Sequence, residues 1–111
     1  MISHARSVVA AALVLLAGAA ASVRPAAADT IRVTIKDLAF KQVAITAHVG
    51  DTVEWKNEDF VAHTATARNG AWDVMLAPHA TGKVVLKTAG KVAYYCRFHP
   101  NMKGEITVLP K

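Results

Sequence analysis

Short stretches of alternating apolar and polar residues recur along the chain beyond residue 28. In the first of them, Ile31, Val33 and Ile35 alternate with polar neighbours, which is typical of a strand with one buried face. Further strands are predicted at 43–45, 52–56, 64–67, 83–87, 92–95 and 105–109. Turn signals such as Asn69-Gly70 separate these stretches, and no apolar stripe of helical period interrupts them. We therefore predict an all-β fold, a Greek-key β-sandwich of about seven to eight short strands.

The first 28 residues have a different composition. They hold no acidic group, begin with a short basic stretch around Arg6, and continue into an apolar run from Val8 to Ala21. Ala26-Ala27-Ala28 then gives the small-residue pattern that signal peptidase accepts. The apolar run is shorter than the about 20 residues that span a bilayer. We predict that residues 1–28 are a cleaved signal peptide and that 29–111 form one domain exported to a bacterial periplasm. An uncleaved N-terminal anchor is the alternative.

The predicted mature domain has 83 residues, the 111 of the chain less the 28 of the leader. This length suffices for one small core. Loss of Arg6 and Arg24 lowers the formal net charge from +5 to +3. Because the lysines are spread along the strands and turns, they give no focused footprint for nucleic acid, and no membrane association is expected of the mature form. A mild positive charge favours an acidic docking partner.

Candidate metal ligands are concentrated near the C-terminus. Cys96, His99 and Met102 are separated each time by two residues, and His63 lies upstream. Thiolate and thioether suit Cu(I), while imidazole also suits Cu(II), so these donors serve copper in both states. Cys96 is the single cysteine, which excludes an intramolecular disulfide and leaves burial, pairing with another chain or metal binding. We predict a redox copper site formed by these four residues.

The predicted strands place these donors in two loops. The strand at 92–95 leads into Cys96 and another strand begins at Glu105, so the Cys–His–Met segment is predicted to be a tight loop between neighbouring strands. His63 is predicted to lie in a loop of its own after the strand at 52–56. The other candidates are interpreted as surface or packing residues: His48 and His79 as surface histidines, Met75 and Trp72 as core or loop packing, and Trp55 as core.

In these regions the sequence resembles the cupredoxins, a family of small blue-copper electron-transfer proteins. The run 49–57, followed by His63, is similar to the family's first ligand region, and the run 89–104 is similar to its second. The spacing of Cys96, His99 and Met102 is similar to the short ligand loop of the amicyanin type. Plastocyanins and pseudoazurins resemble the chain less well, because they have more residues between histidine and methionine.

The resemblance implies one type 1 copper ion. His63 and His99 would ligate it through imidazole nitrogen, Cys96 through its thiolate, and Met102 as a long axial thioether. Asn57 would tie the two ligand loops together by hydrogen bonds. Three positions depart from the usual family pattern: Ala62 replaces proline, Thr64 replaces asparagine, and Gly90-Lys91-Val92-Ala93 replaces a Gly-Thr-Tyr lead-in.

The function implied is electron transfer and not catalysis. A monomer of this type would carry single electrons between redox proteins, such as a periplasmic dehydrogenase as donor and a c-type cytochrome as acceptor. A periplasmic copper carrier or chaperone on the same fold is the alternative. Two enzyme classes also remain open on the residues alone: a zinc hydrolase with Cys and two His as ligands, and a cysteine-nucleophile enzyme that uses Cys96 with a histidine base.

Overall fold

The computed structural model describes residues 28–111. Apart from Ala28, the predicted signal peptide lies outside the described residues. The described part of the chain forms nine strands: β1 Thr30–Lys36, β2 Ala39–Phe40, β3 Ala44–His48, β4 Thr52–Asn57, β5 His63–Ala67, β6 Asp73–Leu76, β7 Thr81–Val85, β8 Gly90–Tyr95 and β9 Lys103–Leu109. Within residues 28–111, no helix is long and apolar enough to cross a membrane.

The strands form two sheets. One sheet has the order β2-β1-β4-β7 and the other has the order β3-β9-β8-β5-β6. The pairs β1–β4 and β3–β9 are parallel, and the other pairs are antiparallel. Along its length the chain changes sheet five times, so both layers contain strands that are distant in sequence. The predicted all-β sandwich is confirmed, with nine strands instead of seven to eight.

The two strands missing from the prediction are β2 and β6. β2 has two residues and follows Asp37 and Leu38, whose φ angles of 52° and 57° are those of a tight hairpin turn. Aspartate tolerates such angles, but leucine is not a usual turn residue, so the pair is a weak turn signal. In β6, Val74 faces inward while Met75 is 57% exposed. Because Met75 is apolar, it hides the alternation, and its interpretation as a packing residue was wrong.

An aromatic cluster fills the space between the sheets. Tyr94 contacts Phe40 and Trp55 with ring centroids 4.7 and 5.6 Å apart, and Trp55 contacts Trp72 at 5.2 Å. The Trp55 indole also donates a hydrogen bond to the Tyr94 hydroxyl at 3.3 Å. Edge-on aromatic pairs of this kind add specific geometry to the burial of apolar area. The cluster therefore fixes the end of β8, two residues before Cys96, and the prediction of Trp55 as core is confirmed.

Candidate metal centre

Three of the four predicted ligands meet at one end of the sandwich. The Cys96 sulfur lies 3.7 Å from Nδ1 of His63 and 3.8 Å from Nδ1 of His99. The two imidazole rings contact each other with centroids 5.0 Å apart, and the donor atoms of the three residues lie within 4.8 Å of one another. Cys96 and His63 are fully buried, while His99 is half-buried.

These separations fit a single metal ion. Sulfur and nitrogen ligands bind first-row ions at about 2.3 and 2.0 Å, so at angles near 110–120° they lie about 3.5–3.7 Å apart. The observed 3.7 and 3.8 Å agree with that spacing. A thiolate with two imidazoles is also the donor set of trigonal copper sites with a weak axial ligand. These three residues therefore fit a copper ion.

The second ligand loop is short and tied at its base. Cys96 follows β8 directly, Met102 precedes β9, and these two strands pair with each other. The nitrogen of Cys96 donates to the Met102 carbonyl at 3.1 Å, and the nitrogen of Met102 donates to the His99 carbonyl at 2.8 Å. The Met102 side chain is 3% exposed. The prediction of a tight loop between neighbouring strands is confirmed.

His63 lies in a strand and not in a loop, which corrects the prediction for this residue. It is the first residue of β5 and pairs with Leu76 of β6. Farther along β5, Thr66 pairs with Tyr95, which directly precedes Cys96. The extended segment therefore starts earlier than the sequence pattern suggested. The sheet itself brings the imidazole next to the sulfur.

Asp59 fixes which nitrogen of His63 faces the sulfur. Its Oδ2 lies 2.8 Å from His63 Nε2, so the Nδ1 atom is left toward Cys96. The same carboxylate accepts hydrogen bonds from the nitrogens of Asp37 and Leu38 at 2.8 and 3.0 Å. Burial raises the pKa of Asp59, but the hydrogen bonds from Leu38, His63 and Asp37 outweigh it, so the pKa is lowered. Sequence reasoning missed Asp59; the signal was a carboxylate four residues before a candidate ligand.

Asn57 anchors one ligand loop, whereas the resemblance implied that it joins two. Its side-chain nitrogen donates to the carbonyls of Val61, Leu76 and Ala77 at 2.9, 3.2 and 3.1 Å. Its side-chain oxygen accepts from the nitrogen of Asp59 at 2.9 Å. These bonds satisfy the side-chain amide of Asn57 and connect the segment 58–62 to the end of β6. None of them reaches the loop from Cys96 to Met102.

Thr64 makes the connection between the two ligand regions. Its nitrogen donates to the Cys96 sulfur at 3.4 Å, and its hydroxyl accepts from the nitrogen of Arg97 at 2.8 Å. That hydroxyl also lies 2.9 Å from the hydroxyl of Thr66, which donates to Asp73 at 2.7 Å. Thr64 was noted in the sequence only as a departure from the family pattern. In the structure it holds the sulfur and the residue after it.

The other two histidines within residues 28–111 lie apart from this cluster. The His48 side chain is 58% exposed, at the end of β3. His79 is exposed and has a φ of 62°, and its ring packs edge-on against Phe60 at 4.8 Å. Phe60 is 86% exposed and Phe98, beside His99, is 47% exposed. Exposed phenylalanines therefore lie in both segments next to the donors.

Comparison with known proteins identifies the family. The model of the cupredoxin-like domain matches residues 7–108. The methylamine utilization protein MauL of Methylorubrum extorquens is 33% identical over 91 residues, which cover 78% of this chain and 80% of that protein. The amicyanin of Paracoccus versutus is 27% identical over 87 residues, covering 73% and 66% of the two chains.

Solved structures of amicyanin give the same result. A methionine-to-alanine mutant in its Cu(I) form has a TM-score of 0.64 and 26% identity, covering 74% of this chain and 84% of that one. A reduced tryptophan-to-tyrosine mutant has a TM-score of 0.63 and 25% identity, over 71% and 81%. The chain belongs to the cupredoxin family. It is a small copper protein of the electron-transfer class, and the predictions of family, fold and copper as cofactor are confirmed.

Proposed function

We propose that the chain is a small periplasmic blue-copper protein that carries single electrons between redox proteins. The observation that carries this proposal is the convergence of the Cys96 sulfur with Nδ1 of His63 and of His99, at separations of 3.7 and 3.8 Å. The proposed ligands are these three atoms and, as a weak axial donor, the thioether of Met102. The export pattern at residues 1–28 supports the periplasmic location.

The protein fixes the positions of the ligand atoms. Bound copper supplies a one-electron Cu(II)/Cu(I) couple, and the proposed donor set suits both oxidation states. His63 is held by β5 and Asp59, and Cys96 by β8 and the Thr64 nitrogen. Donors fixed by strands and hydrogen bonds keep their positions when the charge of the site changes. A small rearrangement favours rapid electron exchange.

Catalysis is not part of the proposal. A catalytic zinc site needs three protein ligands and an open position for water or substrate. Here Met102 is 3% exposed and lies in the same tied loop as Cys96 and His99. Its proposed role as the axial ligand would complete a set of four donors. The Cys96 thiol is 0% exposed, which is unsuited to a nucleophile that must reach a substrate. The zinc hydrolase and the cysteine-nucleophile enzyme therefore have less support than electron transfer.

We place electron exchange at His99. Its ring is half-buried, whereas His63 is fully buried and bonded to Asp59. Phe98 and the exposed Phe60 give this end an apolar surface on which a redox protein would dock. The MauL relative is named for methylamine utilization, which supports a periplasmic dehydrogenase as the electron donor. A c-type cytochrome as the acceptor and a monomeric state are proposed from the resemblance to the amicyanin type.

The test is the visible spectrum of the purified protein after Cu(II) is added and then ascorbate. An intense thiolate-to-copper band should appear, disappear on reduction and return on oxidation. His99→Ala should lose the native band, and His79→Ala, which changes an exposed histidine outside the cluster, should keep it. A native band retained in His99→Ala would contradict the ligand assignment.

Stopped-flow exchange with a redox partner separates the electron carrier from a copper carrier. An electron carrier exchanges electrons rapidly and reversibly while the copper stays on the chain. Transfer of the ion to an acceptor protein, with slow electron exchange, would favour the copper carrier or chaperone. Tight zinc binding without a blue band would contradict both the electron carrier and the copper carrier.

A further inference from the structure

The main chain of Asp29 is held at both of its polar groups, just before β1 begins. Its nitrogen donates to Oδ1 of Asp51 at 2.9 Å, and its carbonyl accepts from the nitrogen of Thr52 at 2.9 Å. Asp29 is exposed, whereas the side chain of Asp51 is 8% exposed. These contacts lie at the start of β4, and Asn57, which anchors a ligand loop, is the last residue of the same strand. The position of Asp29 therefore depends on a buried carboxylate far from the metal centre.

Asp51 is ionised and surrounded by groups that stabilise its charge. Its Oδ2 accepts from the nitrogen of His48 at 2.8 Å, and the His48 ring lies 3.9 Å away. The hydrogen bonds from His48 and Asp29 lower the pKa of Asp51, although burial opposes the shift. Lys111 and Asp29 line the same cleft of about 310 Å³ as Asp51. His48, Lys111 and Asp29 are therefore the titratable neighbours of this carboxylate.

Asp29 is also the residue that follows the predicted signal peptidase site. We propose that cleavage of the Ala28–Asp29 bond places the new α-ammonium group of Asp29 on the buried Asp51 carboxylate, so that removal of the leader creates an ion pair locking β1 to β4. Signal peptidase catalyses the hydrolysis, in which one water adds across the bond. A carboxylate is left on Ala28 and an ammonium group on Asp29. This inference goes beyond the proposed function and does not depend on copper.

The ion pair strengthens a contact that already exists in the uncleaved chain. Before cleavage the Asp29 nitrogen is a neutral amide donor. After cleavage it is a cation, and hydrogen bonds between ionised partners are roughly twice as strong as neutral ones. The neighbouring bond from Thr52 to the Asp29 carbonyl keeps the nitrogen in place. Since β1 pairs with β4 in parallel from Thr30 to Ile35, a firmer start of β1 stabilises that pairing.

The ion pair depends on which peptide bond signal peptidase cleaves. Consecutive Cα atoms lie about 3.8 Å apart, so a chain that begins at Ala28 carries its ammonium group one residue away from Asp51. Its Asp29 nitrogen stays a neutral amide. The chain that begins at Asp29 and the chain that begins at Ala28 are therefore a matched pair, with one alanine and the location of one charge as their difference.

The experiment compares the thermal unfolding of these two copper-loaded chains, each with Asp51 and with Asp51→Asn, from pH 6 to 10. The chain that begins at Asp29 should have the higher Tm at pH 7, and Asp51→Asn should abolish the difference. Pairing raises the pKa of the α-amine above its usual value of about 7.7–8.0. The extra stability is thus fully present below that value and is lost as the pH rises through the raised pKa.

Two further measurements keep the inference testable if Asp51→Asn does not fold. Titration of the Asp29 α-amine by NMR should give a raised pKa in the native mature chain, and an ordinary pKa would overturn the ion pair. The intact mass of the protein exported with its own leader should correspond to a first residue of Asp29. A different first residue, or equal Tm values for the two chains, would also overturn it. A missing blue band would bear only on the proposed function.

Discussion

His63 faces Cys96 through Nδ1 because Asp59 occupies its other ring nitrogen at 2.8 Å. We predict that Asp59→Asn weakens copper binding by about 10- to 100-fold, the usual effect of losing the hydrogen-bond partner of a metal-bound histidine. The amide is neutral and offers two orientations of its oxygen and nitrogen, so it no longer fixes the ring in one tautomer. Competition titration with a chelator of known copper affinity measures the change.

Asp37→Asn is the matched control for this substitution. It makes the same chemical change at a neighbouring exposed residue that bonds to Asp59 only through its backbone nitrogen. Its φ of 52° is one that asparagine also tolerates. Copper affinity should be nearly native in Asp37→Asn. Equal losses in both variants would show that Asp59 acts through general charge and not through the ring.

Ionisation of Tyr94 lowers the stability of the fold at alkaline pH. Burial raises the pKa of Tyr94 from 10.0 to about 12, and the hydrogen bond from Trp55 offsets only part of the shift. The unfolded chain ionises first, so the stability present below pH 10 is lost as the pH rises from about 10 toward 12. Two pH units correspond to about 2–3 kcal/mol. Chemical denaturation at a series of pH values measures this loss.

Tyr94→Phe should flatten that pH dependence. It should also lower the stability at pH 7 by about 1–3 kcal/mol, because the Trp55 indole loses its buried acceptor. Tyr95→Phe, which changes the adjacent and less buried tyrosine, is the control and should keep the native slope. If Tyr94→Phe and the native chain lost stability in parallel above pH 10, ionisation of the lysines would account for the slope.

At the scale of strands and loops, β5 carries both a proposed ligand and the tie to the second ligand loop. Thr64→Val keeps the nitrogen that donates to the Cys96 sulfur but removes the hydroxyl that accepts from the Arg97 nitrogen at 2.8 Å. We predict faster amide exchange at Arg97, a loss of about 1–3 kcal/mol for the partly buried donor, and a broadened copper band. Hydrogen exchange and visible spectroscopy measure these effects.

Thr66→Val tests whether the hydrogen bonds beyond Thr64 also hold the second ligand loop. Thr66 lies two residues along β5, and its hydroxyl connects Thr64 to Asp73. The acceptor of Arg97 is retained in this variant, so amide exchange at Arg97 should stay close to native. An equal effect in both variants would mean that the outer hydrogen bonds to Asp73, and not the Thr64 hydroxyl, hold the loop.

Sequence patterns predict elements well where alternation is long and turn signals are strong. β1, β4 and β9 were found this way, because each has inward-facing apolar residues at every second position. β2 was missed because two residues cannot show a period. β6 was missed because Met75 is exposed and breaks the visible alternation. Local pattern therefore fails where a strand is short or lies at the edge of its sheet.

The sequence predicted the donor residues of the site but not the residues that hold them by hydrogen bonds. The spacing of Cys96, His99 and Met102 is local, and thiolate, imidazole and thioether have a chemistry that can be read from sequence. The partners of Asp59 and Thr64 depend on β1–β2 and β8 approaching β5. Such contacts between distant segments follow from sheet order. The sequence alone does not provide that order.

At the scale of the whole molecule, the two ends of β4 have separate roles. Asp51, just before the strand, anchors the start of β1, and Asn57, its last residue, anchors the segment that carries Asp59. Trp55 lies between them in the core. The metal end and the N-terminal end of the sandwich are thus joined by one central strand. Stability measurements on the whole chain therefore report on both ends.

Copper binding should stabilise the whole sandwich, because the donors come from β5 and from the loop between β8 and β9. The unfolded chain has no preformed site, so binding adds to the free energy of unfolding. Free copper at one hundred times its Kd contributes about 2.7 kcal/mol, which for a domain of this size raises Tm by about 10–20 °C. Calorimetry of the loaded and the chelator-treated protein measures the shift. In Cys96→Ser, which removes the thiolate while keeping a side chain of similar size, most of the shift should be lost. A full shift in that variant would place the stabilising copper elsewhere on the protein.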